Sequence, residues 1–371
     1  MAAKRENKQQ LLRLLFWEST IKCNLSCAHC RRLEDNEAVD TDMSTAQAQD
    51  LIEQLAELGK TQPFMPVMVF SGGEPLCRSD IFELVGKAKS LGITPALATN
   101  ATLIDADMAQ TIKDSGILRV AVSLDGASAD VHDKLRQQKG SFEKAIEGIS
   151  HLREKGISFQ INIILTKQNA SSLEDVYTLA KSTGAAAVHI FMLVPVGCGQ
   201  VLAETDMLSP SEYEEMLVKI SELDRRGELQ IKVTCGPHYE RVMRQQGMHE
   251  SGTESKGNVP SRPQGHGKGG RGCLAGLGVI FVAHQGDVFP CGYLPVKCGN
   301  VLEVSLSEIW QGSSDLAKMR DSSKFEGKCG VCGFREVCGG CRARAYGITG
   351  NYMAEEPFCA YIPPKASGRS D

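Results

Sequence analysis

The chain has 371 residues, with 41 basic against 45 acidic side chains and a formal net charge of −4. That balance excludes a global basic footprint for nucleic acid, and 42% hydrophobic with 23% charged residues excludes wholesale disorder. No apolar run approaches the roughly 18 residues needed to span a bilayer, and the opening MAAKRENKQQ lacks the apolar stretch and small-residue cleavage site of a secretory signal, so a cytoplasmic protein is expected.

Strand and helix signals alternate through the first 235 residues. Strands are predicted at Leu11–Trp17, Val67–Phe70, Thr94–Thr99, Arg119–Ser123, Phe159–Leu165 and Val188–Val194. Between and after them, helical periodicity runs over Thr45–Leu58, Ile81–Leu91, Asp105–Ser115, Phe142–Lys155, Leu173–Lys181 and Glu212–Arg225. In the first helix Leu51, Ile52, Leu55 and Leu58 share one face, and Ser44 is the expected N-cap. Six strand–helix units predict an α/β fold with a parallel sheet and right-handed crossovers, a partial (βα)6 barrel of the TIM type. Its chemistry is expected at the C-terminal ends of the strands.

Residues 236–272 read as a linker. Within them, 247–272 (GMHESGTESKGNVPSRPQGHGKGGRG) are rich in Gly, Ser and Pro, a composition that buries too little surface to offset its ordering entropy. Beyond it, Gly278–Ala283 and Val288–Pro290 predict a β-hairpin, and Ser305–Gln311 a short helix. Residues 273–371 are then a small Cys-rich domain that needs metal to fold.

Cysteine carries the chemical signal. There are 14, a high number for a reducing compartment, where clustered cysteines read as metal ligands or redox groups. Cys23, Cys27 and Cys30 follow the first strand directly, and soft thiolates at this spacing suit three irons of a [4Fe–4S] cubane. With no further cysteine close by, the fourth iron stays open, as in catalytic metal sites. The competing reading is zinc with a distant ligand such as His29. Near the other end stand Cys329, Cys332, Cys338 and Cys341, with Cys359 beyond and Cys273 and Cys291 before. A structural zinc knuckle is the alternative there.

CNLSCAHC resembles the CxxxCxxC signature of radical S-adenosylmethionine (SAM) enzymes, whose partial (βα)6 barrel agrees with the strand count. Gly72-Gly73-Glu74-Pro75 after the second strand matches the motif that in this family holds the amino group of SAM. Asn100 ends the third strand and Ser123-Leu124-Asp125 the fourth, where the resemblance implies contacts to the ribose and carboxylate of SAM. Arg136 is a candidate partner for that carboxylate, since Arg pairs bidentately with carboxylates. The implied chemistry is reductive cleavage of SAM to a 5′-deoxyadenosyl radical, fed by a low-potential flavodoxin- or ferredoxin-like donor.

The rear cysteines resemble the SPASM extension of the same enzymes. The resemblance implies an outer auxiliary [4Fe–4S] cluster on Cys329, Cys332, Cys338 and Cys359. Cys273, Cys291 and Cys341 would belong to an inner one, whose fourth ligand is open between Cys298 and Cys235. The chain departs from the family pattern in having two residues rather than three between Cys338 and Cys341.

CGGCRARAYGITGNYMAEEPFC, CGYLPV and VTCGPHY together resemble the haem synthases of the route that makes haem from sirohaem. That resemblance implies oxidative decarboxylation of two propionates of iron-coproporphyrin III to vinyls. Enzymes of haem d1 synthesis share much of the pattern, and a peptide-modifying radical SAM–SPASM enzyme is the rival. An iron–sulfur electron carrier would not require GGEP and SLDG at strand ends. About ten residues precede the first predicted strand, too few for the N-terminal peptide-binding domain of many peptide-modifying members. Arg271, Arg342 and Arg344 are candidates to meet porphyrin carboxylates, and His238 is a candidate axial ligand to the substrate iron.

Overall fold

The computed structural model describes residues 10–31, 41–247 and 271–364. Most of the expected linker (248–270), the N-terminal stretch read against a secretory signal and the last seven residues of the Cys-rich domain lie outside the described residues.

The six predicted strands are β1 (Leu14–Glu18), β2 (Val67–Ser71), β3 (Thr94–Thr99), β4 (Arg119–Ser123), β5 (Phe159–Leu165) and β6 (Ala187–Met192). They pair in parallel, in sequence order. Helices α1 (Thr45–Lys60), α2 (Ile81–Ser90), α3 (Ala106–Ser115), α4 (Ala129–Arg136), α5 (Ser141–Glu154), α6 (Leu173–Thr183), α7 (Gly199–Leu202) and α8 (Pro210–Arg225) connect and flank them. Two of the long helices start at capping boxes written in the sequence. Ser44 Oγ accepts from the Gln47 N–H while the Gln47 side chain returns to the Ser44 N–H, and Ser209 with Glu212 builds the same box on α8. Leu51, Ile52, Leu55 and Leu58 of α1 are buried against the sheet, as their spacing predicts.

Two features extend the expected six units. β7 (Gln230–Thr234) adds a further parallel strand beside β6. At the other edge β8 (Val279–Val282) pairs in parallel with β1, so the rear segment is built onto the barrel sheet. The predicted hairpin forms between β8 and β9 (Asp287–Phe289), and β10 (Gly299–Asn300) closes a ten-stranded open sheet. Residues 236–247, expected as the start of a linker, are instead folded. They carry α9 (His238–Gln245), whose first five residues are buried. The rest consists of α10 (Leu306–Gly312), α11 (Ser314–Arg320), α12 (Gly327–Val331) and α13 (Arg342–Thr349), joined by Cys- and Gly-rich loops. The Trp310 indole N–H donates to the Gln10 carbonyl at 2.9 Å, tying this segment back to the start of the barrel.

Side chains such as Leu15, Trp17, Phe70, Leu97, Val120 and Ile161 are fully buried in one core. Trp17 meets Phe70 edge to face, with ring centroids 5.8 Å apart, a geometry worth about 1 kcal/mol beyond area burial. This core fixes the strands, and the loops at the C-terminal ends of β1 to β4 carry Cys23, Cys27, Cys30, the Gly72–Pro75 turn, Asn100 and Asp125. Among the described residues no helix is long and apolar enough to cross a membrane.

Candidate functional site

The loop after β1 carries Cys23, Cys27 and Cys30, all half-buried and none in a disulfide. Its stem, Thr20–Lys22, lies against the turn after β2. Gly73 N–H donates to the Thr20 carbonyl at 2.7 Å and Glu74 N–H to the Lys22 carbonyl at 2.8 Å. The contact leaves no room for side chains. Gly72 adopts φ +154°, and a Cβ on it would stand 2.6 Å from the Thr20 oxygen; one on Gly73 would collide with the Lys22 oxygen. Both glycines are therefore required by the approach of one backbone to another.

Glu74 is fully buried. Its carboxylate accepts from Thr99 Oγ1 (2.7 Å), Asn100 N (2.8 Å) and Leu76 N (3.2 Å), which locks the β2 turn to the end of β3. Burial pushes its pKa up to about 7 against these donors. Pro75 opens the single turn that follows. Asn100 Nδ2 donates to Asn24 Oδ1 at 2.8 Å, and so reaches the residue beside Cys23.

Asp125 and Arg136, expected to face SAM, are paired with each other. Arg136 Nη2 stands 2.7 Å from Asp125 Oδ2, and His29 Nε2 approaches the same oxygen at 3.2 Å. Asp125 Oδ1 accepts from the Ile164 N–H at 2.9 Å. Burial works against this carboxylate, yet Arg136 and His29 hold its pKa well below the usual range. Arg136 also donates through Nη1 to Cys27 Sγ at 3.6 Å, and the Ala28 N–H donates to the Leu135 carbonyl at 3.0 Å. The cysteine loop is thus fastened to α4. Ser123 sits at the end of β4, opposite Asn162 of β5.

The rear cysteines form two sets. Cys329, Cys332, Cys338 and Cys359 line one cavity. Three of these sulfurs accept backbone N–H groups: Glu356 N to Cys329 (3.3 Å), Phe334 N to Cys332 (3.4 Å) and Gly340 N to Cys338 (3.5 Å). Burial pushes the Cys359 thiol up to about 11 and that of Cys338 well above its usual value. The other set is Cys273, Cys291 and Cys341 with Cys235, which follows β7. These four pack in one buried cluster, and Cys235, Cys341, Cys291 and Cys273 act on one another's thiols. Cys235 adopts φ +57°, and its carbonyl accepts from Arg344 Nη2 (2.8 Å) and Tyr213 Oη (3.0 Å), which hold the turn. Cys298 is elsewhere. It packs on the main core and its sulfur donates to the Val296 carbonyl.

These donor sets fit iron–sulfur clusters. None of the fourteen cysteines is in a disulfide, the grouped sulfurs are soft donors, and backbone or guanidinium N–H groups already point at several of them. Among the described residues no three His, Cys, Asp or Glu side chains converge tightly enough for one metal ion, whereas a cubane spreads its thiolates over separate irons.

The arginines expected to meet substrate are spent on the scaffold. Arg342 and Arg344 are 2% and 0% exposed. Arg342 donates to the Tyr352 and Ala354 carbonyls, and Arg344 to the Leu193 carbonyl and Glu356. Arg271 lies over the Phe325 ring. His238, expected near the substrate iron, is 1% exposed and lines the cavity of the outer cysteines instead. Burial holds its pKa down at about 4. The sequence reading missed Tyr293, two residues after Cys291. It packs with the inner cysteines and lies within electrostatic range of Cys30 and Arg31, between front and rear sites. Arg31 pairs with Glu18 at 2.7 Å and stacks on Phe281.

Residues 17–180 match the radical SAM superfamily, and residues 273–341 match SPASM, an iron-sulfur cluster-binding domain. The chain is 42% identical over 353 residues to the AdoMet-dependent heme synthase of Methanosarcina barkeri, covering 95% of this chain and 97% of that one. It is 40% identical over 362 residues to the AdoMet-dependent heme synthase of Oleidesulfovibrio alaskensis, covering 97% and 90%. Among solved structures, Streptococcus suis SuiB bound to its precursor peptide SuiA superimposes with a TM-score of 0.71 at 16% identity, over 95% of this chain and 76% of that one. That last likeness is one of fold.

Proposed function

The chain belongs to the radical SAM superfamily and carries its SPASM extension, and from that premise we propose that it completes haem by decarboxylating two propionates of iron-coproporphyrin III to vinyls. The observation that carries this reading is similarity at 40% and above along almost the whole chain to enzymes named as haem synthases. Membership brings with it a [4Fe–4S] cluster, SAM and auxiliary iron–sulfur clusters. When bound, the front cluster and SAM supply one-electron cleavage of a sulfonium carbon–sulfur bond and with it hydrogen abstraction.

The chain's own residues do the rest. Cys23, Cys27 and Cys30 hold three irons and leave one for SAM. The Gly72–Pro75 turn, Asn100 and Ser123 line the strand ends where SAM binds. Asp125 and Arg136 act one layer behind, fixing the loop through Cys27. Cys329, Cys332, Cys338 and Cys359 hold the outer auxiliary cluster, and Cys235, Cys273, Cys291 and Cys341 the inner one.

Each propionate loses one hydrogen atom, CO2 and one electron to become a vinyl. The electron must leave through the protein, and the inner cysteines, with Tyr293 packed among them, are the route we propose. Two turnovers complete the product. A low-potential flavodoxin- or ferredoxin-like protein is the proposed donor.

The test is anaerobic incubation of the reconstituted chain with SAM, dithionite and iron-coproporphyrin III. Monovinyl and then divinyl product, with one 5′-deoxyadenosine per vinyl, is expected. Deoxyadenosine formed without porphyrin turnover would overturn the substrate and leave the radical SAM assignment standing.

A further inference from the structure

His238 is the first residue of α9 and is 1% exposed. Both of its ring nitrogens are buried without a hydrogen-bond partner. Unsatisfied buried polar atoms are rare in folded proteins, and one in this position calls for a partner that the polypeptide itself does not supply.

The surroundings narrow what that partner is. The Tyr213 ring packs edge to face against the imidazole, with centroids 5.1 Å apart, and no hydrogen bond joins the two. Glu356 is the nearest carboxylate, but its Oε2 is 3.9 Å from His238 Nε2, too far for a hydrogen bond. That carboxylate is also committed elsewhere. Oε2 accepts from the Cys341 N–H at 2.7 Å and from Arg344, and Oε1 from the Phe358 N–H. The remaining open direction is the cavity that His238 lines together with Cys329, Cys332, Cys338 and Cys359.

We propose that His238 donates a ring N–H to a sulfur of the outer auxiliary cluster and raises that cluster's reduction potential. The inference rests on the assignment of these four cysteines as its ligands. The neutral imidazole carries its proton on either nitrogen, so the donor is available in whichever orientation the packing fixes. Hydrogen bonds to cluster sulfurs stabilise the reduced, more negative state and so raise the potential. The outer cysteines have N–H donors on three sulfurs already; His238 is a side-chain donor that can be removed without touching the backbone. It acts on potential and not on the reacting atoms, and is therefore a positioning residue.

The test is an EPR-monitored redox titration of the full-length, anaerobically reconstituted chain with iron quantified throughout. The outer-cluster signal is identified as the one lost, with about four irons, in Cys332→Ala. In H238F the same signal is expected at lower potential, by about a tenfold change in the reduction equilibrium or about 59 mV for one electron. The other two clusters should not move. H238N and H238Q keep an amide donor, and one of the two is expected to restore most of the shift.

Full iron with an unmoved outer signal in H238F would overturn the proposal, as would an equal shift of all signals, which marks general loosening. If H238F takes up iron poorly, H238N and H238Q decide: both sitting at a lowered potential with full iron would sink it. Retention of all iron in Cys332→Ala would instead overturn the ligand set, and with it the role of His238.

Discussion

Arg136 donates to the Cys27 sulfur at 3.6 Å from the last residue of α4. Its other terminal nitrogen is held 2.7 Å from Asp125, whose carboxylate is fully buried. Burial works against the charge of Arg136, and Asp125 followed by Cys27 overrides it, so the guanidinium stays charged where a thiolate needs compensation. The result is a short electrostatic chain from the end of β4 to the middle of the cysteine loop.

Asp125→Asn breaks this chain at its anion. The buried guanidinium loses its partner, and a loss of about 3–5 kcal/mol of stability is expected in anaerobic denaturant unfolding. Arg136→Met should cost a similar amount. It should also lower SAM cleavage, measured as 5′-deoxyadenosine, while leaving about eight irons on the rear cysteines.

Two glycines separate packing from propensity. Gly73→Ala drives a methyl group into the Lys22 carbonyl, where only backbone could give way. It is expected to displace the stem of the cysteine loop and reduce front-cluster iron. Gly86→Ala, in α2 with nothing within 4 Å of the new Cβ, is expected to stabilise the chain by up to about 1 kcal/mol. Iron content and thermal midpoints of the two variants provide the comparison.

Most of the barrel was legible because local signals agreed with one another. β3, β4 and β5 have the bounds that their apolar runs predict, and α1 begins at the Ser44 cap. β7 escaped because QIKVT is short and mostly polar, and only Ile231 is buried. The partnership of β8 with β1 joins residues from opposite ends of the chain, which no local pattern encodes. In the site, the resemblance named the four outer cysteines, and they line one cavity. Cys235 lies upstream of the long Gly- and Ser-rich insertion, so spacing could not choose between it and Cys298. The charged residues were harder still, since Asp125, Arg136, Arg342 and Arg344 look in sequence like ligand contacts and are spent inside the protein.

Acid should weaken the seam between β1 and β8. Burial alone would raise the Glu18 carboxyl, but Arg31 and His284 hold it at about 2, against an ordinary value of 4.5. A carboxyl depressed on folding favours the folded state above its unfolded value, and the contribution fades as pH falls through the folded one. About 3 kcal/mol is therefore expected above about pH 5, shrinking toward pH 2. Glu18→Gln removes it at neutral pH. In anaerobic urea unfolding the gap between wild type and E18Q should narrow steadily on acidification; a gap independent of pH would contradict the ion-pair account.

Cys235 and Cys298 make opposite predictions about iron. Cys235 packs in the same buried cluster as Cys273, Cys291 and Cys341, and its turn is held by Arg344 and Tyr213. Cys298 is packed on the core and turned toward the Val296 carbonyl, with burial pushing its pKa up to about 11. Twelve irons, about four for each of three clusters, are expected in the reconstituted wild type and in Cys298→Ala. Cys235→Ala should fall toward about eight, because three sulfurs on the buried inner site leave one iron without a protein ligand. Cys235→Ser should fall as well, which separates loss of the soft sulfur from strain at the left-handed backbone position, since Ser keeps the shape. Equal iron in all three variants would remove Cys235 from the inner set and return that site to three cysteines.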